Sequence, residues 1–320
     1  MAGFDTVIAE RDGVIFGPRR APRQMLAAQE YDGHTSIHDD ATAQKLGFKG
    51  ATIEGPTHFS QFAPLGFAVW GERWLSRGCI SAHYRAPVFE GEEVTAFLRR
   101  PAPHDVQAEI WMLRANGDEI LRGTASVGPD FPPSALDTRL STLPRLADPV
   151  ILADVKVGQR SARTAVCMEL DQHMGPLYPF SLAQKLTRIT EPSSFYSGVG
   201  GVWRRPIVPL EMISVLMQYS ARENGFKTRG PAVGLFADQE IRLLDGPVFV
   251  GEPYEIEREL VALSGSRRTE SMWVRSTLFA AGSDRKIAAM LLNLATMKES
   301  YAAYAKEHAA LYPEAAPQRK

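Results

Sequence analysis

Between residues 32 and 58 the chain gathers Asp32, His34, His38, Asp40, Glu54 and His58. A histidine and a carboxylate that share one water can run acid/base chemistry, because each accepts and donates protons near neutral pH when partly buried. The residues alone leave open which histidine (His34 or His38) and which carboxylate (Asp32, Asp40 or Glu54) would do so. Directly after Glu54, Gly55-Pro56-Thr57-His58 opens an apolar run. A helix starting there would aim unpaired N–H groups and the positive end of its dipole at a developing negative charge. Pro56 suits a first helical turn and cannot donate, which leaves Gly55 and Thr57 as donors. Structural roles compete with these. Asp40 would cap a short helix, Glu54 would sit as an anion favoured by the dipole, and His58 and His83 would be hydrogen-bonded core residues. No spacing matches a metal-binding motif, so no metal or other cofactor is expected.

Such a cluster works only where a scaffold holds it. At about 100–200 residues per domain, a chain of 320 residues has room for two domains or one large one. Hydrophobic residues at 44% and charged residues at 23% describe an ordinary globular core. Lys plus Arg number 36 against 37 Asp plus Glu, a balance that gives no bulk electrostatic reason to bind nucleic acid or an anionic membrane. Cys79 and Cys167, neither in a CxxC pair, are too few for a disulfide framework and point to a reducing compartment. Met1 to Asp12 carries Asp5, Glu10 and Asp12 and does not read as a secretory signal. No stretch nears the roughly 18 apolar residues of a membrane span. A cytoplasmic protein is expected, with neither a membrane nor a nucleic acid as partner.

Residues 129–150, dense in Pro129, Pro132, Pro133, Pro144 and Pro149, read as a linker between domains at 1–128 and 151–320. The two domains repeat each other. Pro87-Val88-Phe89-Glu90-Gly91-Glu92 returns as Pro247-Val248-Phe249-Val250-Gly251-Glu252, and Ala43-Gln44-Lys45-Leu46 returns as Ala183-Gln184-Lys185-Leu186. Asp32-Gly33-His34 faces Asp171-Gln172-His173 in the same order, as a duplication with insertions would leave it. In the first copy, segments 13–17 and 25–31 look strand-like, 39–46 is a short helix, and 56–75 a longer one. Strands are expected at 80–89, 93–99, 106–113 and 119–127, the last two joined through Asn116-Gly117. The second copy repeats this with a helix at 210–223, strands at 233–244, 254–263, 270–279 and 286–297, and a C-terminal helix at 299–311. An antiparallel sheet wrapped around one central helix, twice over, is an α+β tandem (double) hot-dog fold.

The run Ile37-His38-Asp39-Asp40, Ala43, Leu46-Gly47-Phe48-Lys49-Gly50, Ile53-Glu54-Gly55 resembles the hydratase motif of MaoC-like proteins, the R-specific enoyl-CoA hydratases. That resemblance covers residues 31–94 well and the second copy more faintly. It implies a (de)hydratase acting on a 2-enoyl or 3-hydroxyacyl thioester, with coenzyme A as the expected carrier. His38 would be the acid/base residue, Asp32 its partner on the water, and Gly55 and Thr57 the oxyanion donors. Arg85 and Arg242 would face the carrier's phosphates and Trp70 the acyl group. The second copy, with Tyr178 where His38 stands, would be degenerate and complete an internal pseudo-dimer; a homodimer stays open. Departures are specific: Asp32 precedes His38 by six positions instead of five, Thr35-Ser36 replaces Asn-Pro, and Glu54 replaces a histidine. They motivate the alternatives of a non-catalytic acyl-thioester-binding protein, or a thioesterase or lyase using Glu54.

Overall fold

A computed structural model describes residues 3–31, 36–199 and 201–313. The first copy begins with β1 (Ala9–Arg11) and β2 (Val14–Phe16), followed by α1 (Asp40–Lys45). A 3-10 turn over Gly55–His58 runs directly into α2 (Phe59–Trp70), and α3 (Glu72–Arg77) follows. The meander is β3 (Gly78–Tyr84), β4 (Val94–Arg99), β5 (Gln107–Arg114) and β6 (Glu119–Val127). After α4 (Ala135–Ser141), the second copy comprises β7 (Thr164–Val166), α5 (Leu182–Leu186), α6 (Leu210–Gln218) and α7 (Ala221–Asn224). It closes with β8 (Gly234–Leu243), β9 (Tyr254–Gly265), β10 (Thr269–Ala280), β11 (Lys286–Met297) and α8 (Tyr304–Leu311).

Eleven strands form one sheet in the order β1-β2-β4-β5-β6-β3-β8-β11-β10-β9-β7. Outward from the β3/β8 seam, β3-β6-β5-β4-β2 mirrors β8-β11-β10-β9-β7. Ile80 faces Ile241 and Ala82 faces Gln239 across that antiparallel seam. Val94, Ala96 and Leu98 are buried on β4 at the two-residue period that puts one strand face on a core. α2 and α6 contact each other against the sheet, and Phe59, Phe62, Leu65, Met212, Val215 and Leu216 share one core. Removing each such side chain from water contributes about 1.5–3 kcal/mol. The repeated tetrapeptides lie on α1 and α5, and Phe89 and Phe249 make matching bridges to Thr52 and Ile207. This is the tandem hot-dog arrangement that the element order predicts.

Several expected elements differ. Residues 56–75 are not one helix: α2 ends at Gly71, where φ is +57°, and runs unbroken through Pro64 and Gly66. A Cβ on Gly66 would lie 2.4 Å from the Trp74 ring, so the missing side chain is what lets α3 fold back onto α2. Residues 25–31 contain no strand beyond an isolated bridge at Tyr31. Their polar groups bond the second copy instead, Gln29 Nε2 donating to the Leu177 carbonyl at 2.8 Å and the Glu30 N–H to that of Pro176 at 3.0 Å. The segment expected as a linker holds α4, whose Ser134 and Asp137 form a capping box. Pro132 and Pro133 precede that helix and Pro144 follows it, so none interrupts it. Leu136 is buried, and its N–H donates to Ser81 Oγ at 3.1 Å, fastening α4 to the sheet. The final helix starts at Tyr304, after a 3-10 turn at Lys298–Ser300. Among the described residues no helix is long and apolar enough to cross a membrane.

Candidate active site

Where the Gly55–His58 turn meets the seam, a cavity of about 220 Å³ opens. The first copy lines it with His38, Glu54, Gly55, His58 and Tyr84, and the second copy adds Tyr178 and Phe236. Asp32 and His34, expected respectively as the carboxylate partner and the alternative base, lie outside the described residues.

His38 stands on the loop leading into α1. Asp39 caps that helix by accepting from the Thr42 N–H at 2.8 Å, and the chain beyond returns so that the Thr52 N–H donates to the Ile37 carbonyl at 3.1 Å. His38 Nδ1 lies 2.7 Å from the Thr52 carbonyl oxygen. A carbonyl only accepts, so Nδ1 carries the proton and Nε2 keeps its lone pair. Burial pushes the imidazole down to about 4, partly opposed by the Thr52 bond, and it is neutral at pH 7. Asp40 is not in the cavity. Its Oδ1 accepts from the Ala51 N–H at 2.7 Å, so it ties a loop, and the cap expected of it belongs to Asp39.

Glu54 is 7% exposed. Burial pushes its carboxyl up to about 7; Lys185 pulls it down, Glu211 raises it, and a hydrogen bond from Tyr178 lowers it. His58 is buried and driven down to about 3 by desolvation, then by Lys185 and Arg114, and its Nδ1 has no partner among the described residues. Two wall groups therefore have opposite characters near neutral pH. Neutral His38 offers a lone pair, whereas Glu54 readily holds a proton.

The oxyanion assignment changes in one respect. Thr57 N–H donates to the Glu54 carbonyl at 3.1 Å, closing its own turn, and its hydroxyl accepts from Lys185 Nζ at 3.2 Å. Pro56 has no donor, so Gly55 alone retains an N–H without an acceptor among the described residues. Tyr84 closes over it: a Cβ on Gly55 would sit 2.5 Å from that ring. The Tyr84 hydroxyl donates to Gln239 Oε1 at 3.0 Å, which fixes the ring across the seam.

Of the expected substrate contacts, Arg85 lines the cavity and pairs with Glu119. Arg242 does not reach it. It pairs with Glu240 at 2.7 Å and Asp137 at 3.0 Å, and it lines a separate hollow beside α4. Trp70 is also absent from the lining. It stacks on Trp74 at 5.7 Å, at the far end of α2, and its Nε1 donates to the Asp105 carbonyl at 3.3 Å. Tyr178 and Tyr84 line the cavity although the sequence assigned neither a role in it. The repeat offset had marked Tyr178 as the counterpart of His38, but only as a lost residue. Among the described residues no group of three or more His, Cys, Asp and Glu could hold a metal ion.

No family model matches the sequence, and neither does any curated protein. Solved structures match the fold. A protein from Chloroflexus aurantiacus described as a MaoC domain protein dehydratase is 14% identical, with a TM-score of 0.53 over 93% of this chain and 96% of that one. A conserved Mycobacterium tuberculosis protein with a double hot-dog fold is 12% identical, TM-score 0.47, over 81% of this chain and 86% of that one. An oleoyl thioesterase from Lactobacillus plantarum is 11% identical, TM-score 0.38, over 90% and 97%. The first likeness shows a shared fold.

Proposed function

We propose that this chain is a (de)hydratase of MaoC type, adding water to a 2-enoyl thioester or removing it from a 3-hydroxyacyl thioester. The observation that supports this reading is one cavity wall holding a neutral histidine, whose Nε2 has no partner among the described residues, and a carboxyl pushed up to about 7, beside the Gly55 N–H at a buried helix start. In hydration, His38 Nε2 takes a proton from water as the oxygen attacks C3. Electron density moves to the thioester oxygen, where the Gly55 N–H stabilises the enolate. Glu54 then delivers its proton to C2, and solvent exchange returns His38 and Glu54 to their starting states. Dehydration runs the same steps backward. Arg85 at the cavity wall suits a phosphorylated carrier such as coenzyme A.

The test incubates the protein with 2-enoyl-CoA esters of graded length, following loss of enoyl absorbance and release of free thiol in parallel. Loss of enoyl absorbance without thiol release is expected, and His38→Ala should slow it by about 100-fold or more. Undiminished turnover in that variant would refute the assignment. Thiol release in its place would assign a thioesterase using Glu54, and binding without turnover a non-catalytic acyl-thioester protein. An Asp32→Asn arm tests the carboxylate that the motif places before His38.

A further inference from the structure

Behind the turn that opens α2 lies a pair of ions that the chemistry above does not use. Lys185 Nζ is 2.9 Å from Glu211 Oε2, and their side chains are 5% and 2% exposed. Both come from the second copy, Lys185 from α5 and Glu211 from α6. Their remaining hydrogen-bond partners belong to the first copy. Lys185 Nζ donates to Thr57 Oγ1 at 3.2 Å, and Ser60 Oγ donates to Glu211 Oε1 at 2.6 Å. Withdrawing two such charges from water costs several kcal/mol per ion, and well-packed apolar residues of similar volume would often be at least as stable. Stability is therefore a weak reason for this pair, and its position supplies a better one. Thr57, which Lys185 grips by the hydroxyl, donates its N–H to the carbonyl of Glu54.

We propose that Lys185 is a positioning residue for the cavity: a buried cation, delivered by the second copy, that holds the Gly55–His58 turn through Thr57 and keeps Glu54 able to ionise. The role builds on the functional reading above, since it matters to turnover only if Glu54 moves protons. Among the described residues, the groups facing Glu54 are Tyr178, Tyr31, Tyr84, His38, His58 and Arg85 along the cavity, and Lys185 and Glu211 behind it. Tyr178 and the other tyrosines are neutral at pH 7 with their pKa values raised, His38 and His58 are held neutral, and Arg85 is engaged by Glu119. Among the described residues, Lys185 is thus the buried positive charge acting on Glu54, and Glu211 is the counter-charge that keeps Lys185 in place.

Removing Lys185 alone would strand Glu211, so the test uses Lys185→Met together with Glu211→Gln, checked for folding by thermal melting. The Glu54 carboxyl is titrated by infrared difference spectroscopy, each protein against its own Glu54→Gln counterpart, a readout that needs no turnover. In the double variant Glu54 should titrate above its wild-type value, because the lowering by Lys185 that is lost outweighs the opposing push from Glu211 that is lost with it. The corresponding limb of the pH–rate profile should move with it, and kcat should fall more than KM rises. Thr57→Val keeps both ions, so it should lower kcat while leaving the Glu54 titration in place. A folded double variant whose Glu54 titrates as in the wild type would overturn the proposal. A shifted titration in a protein that turns over no thioester would instead sustain the role of Lys185 and remove the hydratase reading.

Discussion

The two copies keep the same scaffold and differ at the same few positions. Ile53 N–H donates to the Val88 carbonyl at 2.7 Å in the first copy, and Val208 N–H to that of Val248 at 2.8 Å in the second. Aligned on those bonds, Glu54 corresponds to Pro209 and Gly55 to Leu210. One helix start is therefore open to a cavity and glycine-led, whereas the other is filled by Leu210, Glu211 and Met212, all buried. The short helices diverge likewise: Lys45 is exposed on α1, and its counterpart Lys185 is buried on α5. Ladder hydrogen bonds involve only the backbone, which tolerates many side chains, so duplication preserves the sheet while the sites drift apart. The second copy has not become inert. Tyr178 reaches the cavity from it, and Lys185 and Glu211 stand behind the open helix start.

The sharpest way to break this asymmetry is to exchange proton-handling groups in each copy. Glu54→Gln should slow hydration by about 100- to 10,000-fold, as loss of a general acid does, while Tyr178→Phe should leave most activity and raise the pH at which Glu54 ionises. Steady-state rates across pH measure both. Hydration should rise through about pH 4, as His38 becomes neutral, and fall above about pH 7, as Glu54 ionises. A flat profile over that range would remove the proposed pair.

Stability offers the next comparison. Lys185→Met strands a buried carboxylate and should cost about 3–5 kcal/mol, whereas Lys45→Met, at the same place in the repeat, should change stability by no more than about 0.5 kcal/mol. Denaturant melts of the two variants would show whether the short helices differ as the structure implies. Glu54→Gln should act in the opposite sense. Burial raises the carboxyl in the folded chain, so the unfolded chain ionises first and stability falls as pH climbs from about 4.5 to about 7. A neutral glutamine should flatten that slope and stabilise the protein at pH 8, even as turnover is lost. Gly55→Ala pushes a methyl into the Tyr84 ring and should cost about 1–3 kcal/mol, with reduced kcat. Leu210→Ala, at the filled helix start, should destabilise without affecting turnover directly.

Much of this protein was legible in its residues. Strand-like segments at regular spacing and the Asn116-Gly117 turn placed the meander, and the short helix expected at 39–46 is α1. Boundaries failed where distant packing overrode local preference. The apolar run 56–75 reads as one helix, yet the chain bends at Gly71, and the Trp74 ring takes the space over Gly66. The prolines of 129–150 suggested a linker, but Ser81 waits on β3 to bind the helix between them.

For the site, sequence placed His38, Gly55 and, as an alternative to Asp32, Glu54 in one short stretch leading into a helix start, and these three line one cavity. It could not determine their proton states. Those depend on a carbonyl 14 positions away in the chain at Thr52 and on the Lys185 and Tyr178 of the other copy, which local spacing does not reach. Nor could it separate Arg85, which lines the cavity, from Arg242, whose carboxylate partners hold it elsewhere. Residue type sets what a side chain is able to do. Burial, charge and neighbours, supplied here by the pairing of two unequal copies, decide what it does at pH 7.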